Sequence, residues 1–108
     1  RPIDQKGKLV PEDYVPVHRE PPDTMTRQRI KRPLSTGIRA IDGMLTMGSG
    51  QRIGIFAGSG VGKSTVLGML ARYAQADAVV IGLIGERARE VKDFLERELG
   101  PEGRARSI

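Results

Sequence analysis

Two textures divide the chain. From position 34 onward apolar residues recur in patterns that predict regular elements, whereas before it they are scattered among prolines. Ile38, Ile41 and Leu45, spaced by three and four, predict a short helix that Ser35 or Thr36 would cap. Met47-Gly48-Ser49-Gly50-Gln51 reads as a turn. Ile53-Gly54-Ile55-Phe56-Ala57 is a short apolar run, the pattern of a buried strand, and a glycine cluster follows it. Leu67, Leu70, Ala71 and Ala74 then give residues 63–74 an apolar helical face. Residues 78–84, Ala78-Val79-Val80-Ile81-Gly82-Leu83-Ile84, form a second unbroken apolar run. Runs without alternation suit parallel strands covered on both faces. Val91, Phe94, Leu95 and Leu99 predict a last helix over 87–99, stopped by Gly100-Pro101. The order strand, glycine loop, helix, strand, helix predicts an α/β fold with a parallel sheet.

Six of the seven prolines (Pro2, Pro11, Pro16, Pro21, Pro22 and Pro33) fall before Leu34. Proline lacks an amide donor and restricts its predecessor, so long helices are not expected there. Lys8–Val10 and Tyr14–His18 are candidate extended pieces, and Thr26–Arg32 reads as a basic extended segment. The organisation expected is an arm or linker over 1–33, leading from a preceding domain, and an α/β unit over 34–108. No internal repeat is visible.

Composition narrows the chemistry. A chain of 108 residues with 38% hydrophobic positions allows one compact domain at most, with a marginal core. The absence of cysteine excludes disulfides, thiolate metal sites and cysteine nucleophiles. One histidine, His18, excludes multi-histidine metal centres. The balance of 18 basic to 13 acidic residues can attract nucleic acid or anionic lipid. With 4% aromatic residues, base-stacking platforms are scarce, and we read the charge as solvated surface without a specific nucleic-acid partner. No apolar run approaches the roughly 20 residues of a membrane helix and nothing resembles a signal peptide. An intracellular protein, or a piece of one, is expected.

The glycine cluster carries the strongest chemical signal. Ala57-Gly58-Ser59-Gly60-Val61-Gly62-Lys63-Ser64-Thr65 matches the phosphate-binding pattern G-x-x-x-x-G-K-[ST], with Ala57 in the first glycine position. A methyl group is tolerated there where φ is negative. Glycines let the backbone turn tightly and aim Gly58, Ser59, Gly60, Val61 and Gly62 amides at phosphate oxygens. A helix N-terminus adds partial positive charge. Lys63 can reach the β- and γ-phosphates, and the Ser64 hydroxyl can ligate Mg²⁺. Thr65 comes next, suited to packing or capping. A turn that binds nothing is the plain alternative, but the Gly-Lys-Ser ending and its flanking elements argue for phosphate binding.

Gly85-Glu86-Arg87-Ala88-Arg89-Glu90 follows the second apolar run. In open α/β sheets ligands sit at the carboxyl ends of strands, so Glu86 and the glycine loop can share a crevice. There the Glu86 carboxylate can position a water for attack on a γ-phosphate, with Arg87 on that phosphate. The same residues also read as the charged first turn of a helix, where Glu86 favours the dipole. From the residues alone the two readings weigh evenly. A rival reading makes Glu86 the metal-side acid ending a strand, but 23 positions after Lys63 is close for that role in large NTPases.

Residues 30–99 resemble a known family. The run from Ile30 to Asp42, including Leu34-Ser35-Thr36-Gly37-Ile38, is similar to the start of the nucleotide-binding domain of rotary-type ATPases. Leu45 to Thr65, with Leu83-Ile84-Gly85-Glu86-Arg87 and Arg89-Glu90-Val91-Lys92-Asp93-Phe94, most resembles the flagellar and type III secretion export ATPases. Pro2-Ile3-Asp4 with Gly7-Lys8 looks like that family's stretch before the catalytic domain. The resemblance implies a RecA-like P-loop NTPase domain, with a parallel sheet, flanking helices and only its N-terminal part present. It implies a catalytic role for Lys63, Glu86 as the glutamate positioning the hydrolytic water, Arg87 on the γ-phosphate, Ser64 as the direct metal ligand and Glu90 holding Mg²⁺ through water. Glutamate rather than glutamine at 86 separates the chain from the noncatalytic paralogue of ATP synthase. Ala88 departs from the glycine usual in export ATPases, at a position read as facing away from the chemistry.

The family's later strand-ending Asp, trans-acting arginine and adenine-stacking aromatic have no counterpart here. The expectation is therefore the front part of a longer, Mg-dependent ATPase, inactive in isolation. Its activity is expected to drive protein export at the cytoplasmic face of the bacterial inner membrane, with peripheral membrane association. The resemblance implies a homo-oligomer, a hexamer, working with export-apparatus proteins, stalk or regulator subunits and chaperone–cargo complexes. Two rivals are the catalytic subunit of a rotary ATP synthase, disfavoured by Ser59 and Ser64-Thr65, and an RNA-translocating termination-type motor, which the basic arm Arg27, Arg29, Lys31 and Arg32 would suit. A blander possibility is an interaction piece without activity of its own.

Overall fold

Packing centres on one helix. The computed structural model describes residues 7, 8, 10–58 and 60–108, so Pro2-Ile3-Asp4, Leu9 and Ser59 lie outside the described residues. Helix α2 (Lys63–Tyr73) buries Gly68 and Ala71. A second helical stretch consists of α3 (Ala88–Asp93), a π-helical segment (Phe94–Leu99) and α4 (Gly100–Ala105), and it packs on α2 through the π segment and α4. The remaining elements are a 3₁₀ turn (Thr24–Thr26), β1 (Pro33–Leu34), α1 (Arg39–Met44) and β2 (Met47–Gly48). Ala71, Phe94 and Leu99 form the core, and Val79, Ile81, Leu83 and Leu95 pack on it. Burial of Phe94 and Leu99 is worth about 1.5–3 kcal/mol each.

The apolar face expected on α2 is rotated in part: Ala71 is buried and Leu70 and Ala74 are half-buried as expected. Its buried stripe runs through Gly68 and Ala71, while Leu67 stays exposed. The cause is backbone proximity. A Cβ on Gly68 would stand 2.7 Å from the Glu98 carbonyl oxygen and 2.9 Å from its carbonyl carbon. The two helices approach where side chains are smallest.

The last helix also differs from expectation. Instead of one α-helix over 87–99, α3 passes into π winding at Phe94. Phe94 and Leu99 are five apart, which an α-helix would turn about 140° from each other, whereas i→i+5 winding stacks them. Both are buried. Gly100-Pro101 does end the winding at Leu99, but a further helix, α4, follows directly. Gly100 takes φ +63°, breaking the winding, and Pro101 then sits in the first turn of α4, where its missing amide costs nothing.

The parallel sheet expected on both apolar runs is not formed among the described residues. Ile53–Ala57 has no ladder partner, and Phe56 is 96% exposed. In the second run Val79, Ile81 and Leu83 are half-buried on the core while Val80 and Ile84 are exposed, so one face is covered rather than two. Parallel strands require neighbours brought in by crossovers. Here one neighbour arrives: Val79 bridges Ser107 in parallel, with Ile108 N donating to Val79 O at 2.8 Å and Ile81 N to Ile108 O at 3.0 Å.

The ladder that does form is a short antiparallel ribbon, with Pro33 opposite Gly48 and Leu34 opposite Met47. Ser49 N extends it by donating to Arg32 O at 2.9 Å. The predicted turn follows at 48–51, closed by Gln51 N to Gly48 O at 3.0 Å, with Gly50 at φ +87°. Helix α1 starts after Ile38 and has no side-chain cap, so neither Ser35 nor Thr36 plays the capping role expected. Asp42 instead reaches back from α1 and gathers this corner. Its carboxylate accepts from Thr36 N (2.8 Å), Thr36 Oγ1 (2.7 Å), Gly37 N (3.0 Å) and Ser35 Oγ (3.1 Å). That satisfies the fully buried Thr36.

Residues 10–33 are exposed throughout. Before Pro33 of β1 their one element is the 3₁₀ turn at Thr24–Thr26, where Asp23 Oδ1 accepts from Met25 N at 2.9 Å. Tyr14–His18 pairs with no other segment, and Arg32 alone of the basic stretch joins the ribbon. Among the described residues no helix is long and apolar enough to cross a membrane.

Candidate functional site

The glycine loop opens directly into α2. Gly60 takes φ +77° and Gly62 φ +98°, left-handed conformations that side-chain-bearing residues avoid. A Cβ at either would meet nothing within 4 Å, so the demand for glycine is conformational, not a lack of space. Gly62 stands at the head of α2 with no side chain capping the helix, and the first turn contains no acidic residue. Val66 N, donating to Gly62 O at 3.0 Å, closes the first turn. The amides of Lys63, Ser64 and Thr65 precede that bond. They add to the positive end of an 11-residue helix and are open to an anion. Gly58, Gly60, Val61, Lys63 and Ser64 are exposed, so the loop can receive a polyphosphate. Ser59 lies outside the described residues.

Gly85, at φ +77°, turns the chain out of the second apolar run. Glu86 follows, and Arg87 sits at the head of α3 in extended conformation. Glu90 lies in the first turn of α3. All three side chains are exposed. No hydrogen bond or ion pair joins Lys63, Glu86, Arg87 and Glu90 to one another; the ion pair found among the described residues is Lys92–Glu96, 3.9 Å apart on an exposed helix face. Direct contact between these segments occurs elsewhere. Thr65 Oγ1 donates to Glu98 Oε1 at 3.0 Å, consistent with a packing role for Thr65.

No group of three or more His, Cys, Asp or Glu able to hold a metal exists among the described residues. Oxygen donors are present at the Ser64 hydroxyl, in the first turn of α2, and at the Glu90 carboxylate, in the first turn of α3. These hard oxygen ligands suit Mg²⁺, which keeps several waters and takes its remaining ligands from phosphates.

The far end of α2 is anchored by residues that pattern reading missed. The Arg106 guanidinium donates to the carbonyls of Arg72 (3.2 Å), Ala74 (2.9 Å) and Ala76, covering helix-terminal acceptors. Gln75 N donates to Ser35 O at 2.9 Å. Gly37, at φ +73°, lies where any Cβ would overlap Tyr73. Two concave surfaces line this end, around Arg106 and around Asp42, and neither includes a glycine-loop residue. Arg106 lies 30 or more positions from the carbonyls it caps, and no local signal marks it. Asp42 carried a signal only as the end of the Ile30–Asp42 stretch.

The sequence profile of the ATP synthase alpha/beta family, nucleotide-binding domain, matches residues 37–108. A flagellum-specific ATP synthase of Salmonella typhimurium is 56% identical over 104 residues, which cover 96% of this chain and 21% of that protein. A type 3 secretion system ATPase of Xanthomonas euvesicatoria is 51% identical over 107 residues, covering 99% and 24%. The chain thus spans about a fifth to a quarter of the length of these curated relatives. Among solved structures, a prototypical ATPase from the type III secretion system of pathogenic bacteria superimposes with a TM-score of 0.80 at 48% identity, covering 95% of this chain and 30% of that one. The assembled ATPase EscN in complex with its central stalk EscO, from enteropathogenic E. coli, gives 0.76 at 50% identity, covering 94% and 26%.

Proposed function

The chain belongs to the ATP synthase alpha/beta family through its nucleotide-binding domain, and from that premise we propose a Mg²⁺-dependent ATPase that couples hydrolysis to protein export by a flagellar or type III secretion apparatus. One observation carries the reading. The loop ending in Gly62-Lys63-Ser64 stands at an uncapped, positively polarised helix start, exposed and free of acidic side chains in its first turn. Relatives about half identical to the chain are flagellar and type III secretion ATPases, which supports export as the coupled work.

In this reading the amides of Gly58 to Thr65 cradle the phosphates. Lys63 bridges β- and γ-phosphate oxygens and offsets charge as the bond to the γ-phosphorus breaks. The Glu86 carboxylate orients a water in line and takes its proton, and Arg87 contacts the γ-phosphate oxygens. Ser64, and Glu90 through water, would hold Mg²⁺, which supplies charge neutralisation at the phosphates. Residues 34–108 belong in this proposal to a RecA-like P-loop domain, to whose parallel sheet the described residues contribute one bridge, Val79 with Ser107. Residues 1–33 are its leading arm or linker.

The active unit in this proposal is a homo-oligomer, a hexamer, at the cytoplasmic face of the inner membrane. A central stalk of the kind seen with EscN, export-apparatus proteins and chaperone–cargo complexes are its partners. This chain alone is expected to be inactive, because an arginine supplied in trans is worth about 10³–10⁵ in rate. The test is Lys63→Ala in the full-length protein. Turnover at background is expected, and retained ATPase activity would sink the phosphate-site assignment.

A further inference from the structure

The two helices that carry the candidate chemistry are joined at a point outside it. Thr65 Oγ1 donates to Glu98 Oε1 at 3.0 Å, across 33 positions of sequence. One turn further along α2, Gly68 lies against the same residue. A Cβ there would stand 2.7 Å from Glu98 O and 2.8 Å from Glu98 Cβ. Thr65 and Gly68 are three apart and share a face of α2. Glu98 is therefore held twice, by its side chain at one turn and by its backbone at the next.

The two sides of this contact lead to different parts of the proposed site. Thr65 directly follows Lys63 and Ser64 in the first turn of α2. Glu98 belongs to the π segment that continues α3, and α3 begins after Arg87 and holds Glu90 in its first turn. The π winding sets the register. With Phe94 and Leu99 both buried, the intervening turn delivers Glu98 to the small-residue face of α2. Sliding or rotating the α3 stretch relative to α2 would break the Thr65 bond and force Glu98 backbone off Gly68.

We propose that Glu98 is a positioning residue: by accepting the Thr65 hydroxyl while its backbone rests on Gly68, it fixes the register between the helix that opens from the glycine loop and the segment that carries Glu86, Arg87 and Glu90. This rests on the assignment of phosphate binding to Lys63 and water positioning to Glu86. Phosphoryl transfer is sensitive to such register, because misplacing an attacking group by about 1 Å can cost about 10²-fold in rate. Glu98 touches neither phosphate nor water in this scheme, so its removal lowers the rate of the chemical step and spares nucleotide affinity.

The experiment uses the full-length protein and five variants: Thr65→Val, Glu98→Ala, Thr65→Val with Glu98→Ala, Glu98→Gln and Lys63→Ala. Steady-state ATP hydrolysis gives kcat, and a fluorescent ADP analogue gives Kd and binding stoichiometry. We expect Glu98→Ala and Thr65→Val each to lower kcat about five- to tenfold with Kd within about twofold and full stoichiometry. The double variant is expected to be no slower than the slower single one, because both remove the same bond. Glu98→Gln retains a carbonyl acceptor and is expected to restore most of the lost kcat. Unchanged kcat in Glu98→Ala overturns the proposal, as does a loss matched by falling stoichiometry or no recovery in Glu98→Gln. Lys63→Ala separates the two levels: turnover like the parent's removes the phosphate-site reading and this proposal with it. An inactive Lys63→Ala beside a fully active Glu98→Ala removes this proposal alone.

Discussion

Replacing Gly68 with alanine sets a favourable backbone effect against an unfavourable packing one. In an exposed helix interior, glycine to alanine stabilises by about 1 kcal/mol. Here the added methyl would meet Glu98 O, Cβ and C at 2.7, 2.8 and 2.9 Å. Two of those atoms are backbone, so relief requires moving the π segment rather than turning a side chain. Overpacking of this kind costs about 1–3 kcal/mol. The balance is a loss of up to about 2 kcal/mol, or up to roughly 8 °C in Tm at the 2–4 °C per kcal/mol of a mid-sized domain. Two internal standards make the sign interpretable. Gly43 lies in α1, and a Cβ added there would meet nothing within 4 Å, so Gly43→Ala should stabilise by about 0.5–1 kcal/mol. Gly103 would meet side-chain rather than backbone atoms, Leu99 Cδ1 at 2.8 Å, Leu99 Cγ at 3.0 Å and Arg72 Cγ at 3.1 Å, so Gly103→Ala should fall between the two. Thermal and denaturant unfolding of the three full-length variants gives the order. A Gly68→Ala protein as stable as Gly43→Ala would refute the close helix approach.

Further predictions concern the two anchors that flank the far end of α2. Asp42 is held below the ordinary carboxylate range, first by the Thr36 amide and hydroxyl and then by Ser35 and Gly37, against the opposing effect of partial burial. A carboxyl with a lowered folded-state pKa contributes stability that is present above its ordinary value of 3.8 and is lost as pH falls through the folded value. Asp42→Asn should therefore lower Tm at pH 7 and flatten the fall in Tm below about pH 4, read by unfolding scans across pH; an unchanged acid limb would count against the hydrogen-bonded corner. Arg106→Lys keeps charge but loses the planar fork that serves three carbonyls, and should cost about 2–3 kcal/mol by denaturant unfolding. A loss below about 0.5 kcal/mol would show that the cap contributes little.

Much of the site was legible along the chain because its demands are local. Gly60, Gly62, Lys63 and Ser64 are close neighbours, and the turn, the helix start and the lysine follow from adjacent residues. The 63–74 helix ends one residue early, and Phe94 and Leu99 are buried as their spacing implied. What escaped depends on partners distant in sequence. Gly68 is buried because Glu98, 30 positions on, packs against it, and that contact shifts the α2 face away from Leu67. Val91, Phe94, Leu95 and Leu99 together carry an apolar pattern at α spacing, so periodicity did not reveal the π winding that brings Phe94 and Leu99 together. The run at 78–84 has no alternation in residue type, yet its exposure alternates because helices cover one face only. The ribbon of Pro33–Leu34 with Met47–Gly48 is two residues long on each side, too short for a period-two pattern to register.

The central claim is that Glu86 activates water for attack on a nucleotide held by the Lys63 loop. Its most direct test is ATP hydrolysis and ATP-analogue binding by full-length Glu86→Gln, measured beside the parent protein. The variant keeps the side chain's size but loses the carboxylate that accepts a proton. We predict nucleotide affinity within about twofold of the parent and a kcat lower by about 10²–10⁴. A normal kcat in Glu86→Gln would contradict the account.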